Sequence, residues 1–126
     1  MHKKTKTTIL SFCTIDIYEN TIVGTINDGV DVTLEKSSQI IEVAINHFKA
    51  EPFVYIANRK NSYSVDPIIY KYNSELKNLK GFAIVIDNLY DNTVEIEKIF
   101  SHKPIDTFDS LDDALDWSNR IIKDTK

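Results

Sequence analysis

The chain has 126 residues, of which 42% are hydrophobic and 27% charged, with a formal net charge of −4. That length suits one domain with a real core and no disulfide or metal staple. The acidic balance argues against the broad basic surface that nonspecific nucleic-acid binding needs, and a single cysteine, Cys13, excludes an internal disulfide.

The first residues carry the only basic cluster, Lys3, Lys4 and Lys6 beside His2. Residues 1–7 read as a flexible, solvated basic tail and residues 8–123 as a single α/β domain. The apolar residues that follow, Ile9, Leu10, Phe12 and Cys13, superficially resemble an export signal. Ser11 interrupts them and Asp16 ends them, short of the roughly 7–15 apolar residues such a signal uses. No segment approaches the roughly 18 apolar residues of a membrane span. The expected setting is therefore cytoplasmic, with no nucleic-acid partner and no membrane span.

Residues 8–18, rich in β-branched and aromatic types, predict one strand in which Cys13 is a buried small hydrophobe beside Ile9, Ile15 and Ile17. Glu19-Asn20 predicts a tight turn into a second strand over 21–27. Asn27-Asp28-Gly29 closes that strand. Thr33 is placed to cap a helix whose core face is Ile40, Ile41, Ala44, Ile45 and Phe48, and which Pro52 stops.

Phe53–Ala57 is a continuous apolar run, as in a strand covered on both faces. Asp66-Pro67 predicts a helix start. Ile68, Ile69, Tyr72, Leu76 and Leu79 give that helix a core face, with Gly81 as its stop. Residues 82–86 predict a further buried strand. Asp87 and Asn88 are placed to cap a helix over roughly 89–101. Ile105–Phe108 predicts a short strand. Ser110-Leu111-Asp112-Asp113 then has the form of a capping box, opening a last helix marked by Leu111, Ala114, Leu115, Trp117, Ile121 and Ile122. The predicted order is ββαβαβαβα, a mixed sheet with helices packed on it.

Two stretches carry a family resemblance: Gly81-Phe82-Ala83-Ile84-Val85-Ile86-Asp87-Asn88, and Ile105-Asp106-Thr107-Phe108-Asp109-Ser110-Leu111-Asp112-Asp113-Ala114-Leu115-Asp116-Trp117. With the order of elements, they make the chain resemble the SpoIIAA-like family of the STAS superfamily. The resemblance implies a regulatory or protein-interaction module that is not an enzyme. In that family an acceptor Ser or Thr lies in an Asp-Ser-Ser/Thr-Gly-Leu-Gly-like stretch after the third strand. The corresponding junction here, residues 58–67, offers Ser62 and Ser64 but no glycine and no Asp-Ser pair.

That junction is the polar exception among apolar neighbours. Asn58, Arg59, Lys60, Ser62, Tyr63, Ser64 and Asp66 form the candidate interaction or phospho-switch loop, at a strand end where open α/β sheets place ligands. Asp87 and Asn88 form a second strand-end candidate. Each has a structural reading too, Asp66, Asp87 and Asn88 as helix caps and Arg59 and Lys60 as solvated charges. His2, His47 and His102 lack metal-ligand spacing. Asp112 and Asp113 suit a helix start without acid–base work. No phosphate-binding glycine loop or hydrolase elbow occurs. No catalytic residues, metal or cofactor are expected. A protein partner is expected, and a homodimer is compatible. The alternative function is binding of a small apolar, lipid-like ligand, with Phe53, Tyr55, Tyr63, Tyr70, Tyr72 and Trp117 as candidate pocket aromatics.

Overall fold

A computed structural model describes residues 2–86 and 103–125. The protein is α/β, with a mixed six-stranded sheet. It opens with three strands, β1 (Lys6–Ile9), β2 (Cys13–Ile17) and β3 (Thr21–Ile26), paired antiparallel in sequence. The single strand expected over 8–18 is thus two. Ser11 falls at a tight turn closed by the Leu10 N–H donating to the Cys13 carbonyl at 2.9 Å. The turn puts Cys13, Ile15 and Ile17 in the core but leaves Ile9 78% exposed, not buried as the alternation suggests.

β1 begins inside the segment read as a flexible tail. The Thr5 N–H donates to the Ile17 carbonyl at 2.8 Å, and Thr7 Oγ1 donates to Asp16 Oδ1 at 2.8 Å. His2 Nε2 lies 2.7 Å from Asp116 Oδ1.

A two-residue strand, β4 (Asp31–Val32), precedes helix α1 (Leu34–Phe48). Thr33 Oγ1 accepts from the Lys36 N–H at 3.3 Å, the cap the sequence predicts. β5 (Phe53–Asn58) follows, then another short strand, β6 (Ser64–Val65), and helix α2 (Ile68–Ser74). Strands β7 (Leu79–Val85) and β8 (Ile105–Phe108) and helix α3 (Leu111–Asp124) complete the described chain. The helix expected over 89–101 lies outside the described residues.

α2 is shorter than its pattern suggests. Leu76 sits beyond the helix and Leu79 pairs with Phe53 at the start of β7. Apolar residues in a helix-to-strand turn continue the helical spacing by chance, and sheet pairing takes the last of them. Gly81, expected as a helix stop, is inside β7. A Cβ there would lie 3.1 Å from Trp117 Cη2, so the glycine admits the close approach of α3. α3 starts as predicted, with Ser110 Oγ accepting from the Asp113 N–H at 3.1 Å.

The sheet order is β1-β2-β3-β5-β7-β8, and β3, β5, β7 and β8 run parallel. β5 and β7 are buried on both faces, as their apolar runs require. One face packs Ile15, Ile22, Phe53 and Phe82 against Ile40, Ala44 and Phe48 of α1 and Ile69 of α2. The other packs Val23, Val54, Ile56 and Ala83 against Ala114, Leu115 and Ile122 of α3. No described helix is long and apolar enough to cross a membrane.

Candidate functional site

Residues 58–66 are not a free loop. They are zipped to residues 26–32, the end of β3 and the segment that follows it. Asn58 ends β5 and is 7% exposed, so it belongs to the sheet. The Arg59 N–H donates to the Val85 carbonyl at 2.9 Å, and the Lys60 N–H to the Asn58 carbonyl at 3.0 Å. The Arg59 side chain folds back. Its Nη2 donates to the Tyr63 carbonyl at 3.3 Å, and its guanidinium lies 4.5 Å from the centre of the Tyr63 ring.

The cross-links then run in register. Asn61 Nδ2 donates to the Ile26 carbonyl at 2.9 Å. Asp28 Oδ1 accepts from the Ser62 N–H at 3.0 Å, and the Ser62 carbonyl accepts from the Gly29 N–H at 2.7 Å. Gly29 supports this turn at φ +78°, where a side chain would strain it. β4 and β6 pair parallel, Asp31 with Ser64 and Val32 with Val65. The Ser64 hydroxyl donates to Asp31 Oδ1 at 2.7 Å. Asp66 closes the run, its N–H donating to the Val32 carbonyl and its Oδ1 accepting from the Ile68 N–H. The sequence shows no sign of this pairing, because a two-residue bridge has no periodicity. Asp28, Gly29 and Asp31 are therefore site residues that sequence reasoning missed, although Asn27-Asp28-Gly29 marks the turn. Asp87 and Asn88 lie outside the described residues.

The zipped segments roof a cavity over the α1–α2 face of the sheet. Its floor is Ile26, Tyr55, Ala57 and Phe82; Ser37, Ile40 and Ile41 of α1 and Ile69, Tyr70 and Asn73 of α2 form its walls; Val32, Tyr63 and Val65 close the top. The cavity has a volume of about 40 Å³ and is partly open to solvent. The strands are laid side by side in chain order, so the cavity does not arise from a reversal of strand order. The roof creates it.

Aromatic rings set the shape of the floor. Tyr55 and Phe82 stack with centroids 5.5 Å apart, and Tyr70 meets Phe82 edge-on at 5.7 Å. The Tyr55 ring lies against Gly24, where a Cβ would be 3.2 Å from Tyr55 Cζ and closer still to its hydroxyl. Burial, with Tyr63, Cys13 and Tyr70 nearby, holds the Tyr55 hydroxyl well above its ordinary range, although Arg59 pulls it down. Burial also pushes Tyr63 up to about 12 and Cys13 up to about 11.

Among the described residues the lining offers hydroxyls and one amide, with no carboxylate, imidazole or cationic group. Such a set can bind and orient a neutral molecule but holds no general base at neutral pH. Cys13, in the core, is no thiolate nucleophile. Comparison with protein-family models, with curated proteins and with solved structures gave no significant match.

Proposed function

We propose that the chain is a non-enzymatic, STAS-like regulatory or protein-interaction module, working in the cytoplasm, whose contact surface is the roof of residues 26–32 and 58–66 with the adjoining helix α2. The observation that carries this reading is the Ser64–Asp31 hydrogen bond on the exposed rim of the roof. It gives a polar loop a defined shape that a single charge can break. Next to it α2 presents Ile68 and Tyr72, 47% and 52% exposed, as apolar contact area. The strand pair followed by helix–strand steps supports the STAS resemblance; the third antiparallel strand and the β4–β6 pair depart from the expected order.

A phosphate on Ser64 would bring about −1.5 to −2 charges against the Asp31 carboxylate. That loses the bond and repels β6 from β4. Affinity capture with the wild-type chain, Ser64→Ala and Ser64→Asp tests this. A partner retained by wild type and released by Ser64→Asp, then recovered in Ser64→Asp with Asp31→Asn, supports the switch. Unchanged capture by both single variants refutes it.

The cavity favours a second reading, a small-ligand protein. Its volume of about 40 Å³ is too small for a whole lipid chain, so a lipid-like ligand would have to hollow the core. Native mass spectrometry of freshly purified protein tests that version, and a clean mass without ligand sinks it.

A further inference from the structure

We infer that the cavity beneath the roof binds a small uncharged molecule carrying one hydroxyl or carbonyl group on a compact apolar body, with Tyr55 as the group that recognises it. This site goes beyond the interaction-module reading and does not depend on it.

Three observations converge. First, none of the described lining side chains is ionised at neutral pH. A charged ligand would lose its hydration there with no ionised lining side chain to replace it. Second, Tyr55 lines the cavity, and among the described residues no hydrogen bond reaches its hydroxyl. Tyr55 is only partly exposed, and a tyrosine hydroxyl held largely away from water normally finds a partner. This hydroxyl is also fixed in place, since its ring stacks on Phe82 and presses on Gly24. It can donate to a carbonyl or exchange bonds with a hydroxyl. Third, the cavity is small and partly open. Its volume of about 40 Å³ suits a polar head of a few atoms, and because it opens to solvent an apolar body can rest against its apolar lining at the mouth. The rival occupant of so small an inner space is water alone.

Phenol and toluene separate these cases, because they differ by one hydroxyl in place of a methyl. The full chain, labelled with nitrogen-15, is titrated with each probe and its amide shifts are followed. Phenol is expected to give saturable shifts at cavity residues such as Ala57, Ile69 and Asn73, in the millimolar range. It should bind about three- to tenfold more tightly than toluene, the worth of one neutral hydrogen bond. Tyr55→Phe keeps the ring and should abolish that preference while leaving toluene binding intact. Ile41→Phe, at the partly exposed rim, should weaken both probes. The inference is overturned if phenol gives no saturable shifts, which would leave water as the occupant, or shifts only outside the cavity. It is also overturned if phenol and toluene bind wild type equally, or if Tyr55→Phe retains the preference. A titration of Tyr63→Phe keeps the test decisive should Tyr55→Phe fail to fold: Tyr63 sits in the roof, so its variant should retain a preference for phenol, and equal binding of both probes there overturns the assignment to Tyr55.

Discussion

Replacing Gly24 by alanine puts a methyl group where the Tyr55 hydroxyl already is. The added Cβ would stand 3.2 Å from Cζ and 3.4 Å from Cε2 of Tyr55, and closer still to its oxygen. The ring cannot tilt freely, because Phe82 stacks on it at an interplanar angle of 12°. Overpacking of this kind costs about 1–3 kcal/mol. Alanine recovers about 0.5–1 kcal/mol of strand preference over glycine. The net expected loss is about 1–2 kcal/mol. Urea unfolding followed by circular dichroism should show it as a fall in midpoint of about 0.5–1 M, taking a slope of about 2 kcal/mol per M. The discriminating measurement is the double-mutant cycle with Tyr55→Phe, which deletes the obstructing oxygen. In that background Gly24→Ala should cost about 1 kcal/mol less than in wild type. Additive losses, or a Gly24→Ala chain as stable as wild type, would refute the placement of the Tyr55 hydroxyl against β3.

Other variants probe separate parts of the fold. Ser110→Ala removes the α3 cap bond to the Asp113 N–H and should cost about 1 kcal/mol, read as a lower urea midpoint. Lys49 holds φ +56° at the end of α1, a region that penalises a side chain, so Lys49→Gly should stabilise the fold by a few tenths to about 1 kcal/mol, read as a higher urea midpoint. The Cys13 thiol stays neutral in the folded chain up to about 11, against an ordinary 9.0 once unfolded. Folding therefore holds the proton, and this contribution to stability is whole below about pH 9 and is lost as the pH rises toward 11. Urea midpoints at pH 8 and pH 10.5 should fall further apart in wild type than in Cys13→Ala; an equal fall in both would dismiss the thiol as the cause.

Local chemistry in the chain specified much of this protein. The apolar runs of β5 and β7, the Thr33 and Ser110 caps, the Asp66-Pro67 helix start and the parallel strands β3, β5 and β7 joined through α1 and α2 all follow from side-chain size, branching and hydrogen-bonding capacity at fixed spacing. The polar exception at 58–66 was legible too, because seven polar positions between apolar strands stand out in composition. Its shape was not legible. The partners of Ser62 and Ser64 lie 34 and 33 positions back, at Asp28 and Asp31. Bonds across such a distance leave no periodic trace in either segment. The same limit explains Gly81, read locally as a helix stop and used by the fold to admit Trp117, and Ile9, whose alternation suggested burial that the turn at Ser11 denied it. Tertiary structure alone decided that the polar loop becomes a roof, and that of the candidate pocket aromatics Tyr55, Tyr63 and Tyr70 line the cavity while Phe53, Tyr72 and Trp117 do not. Residues distant in the chain are brought together only by the folded sheet.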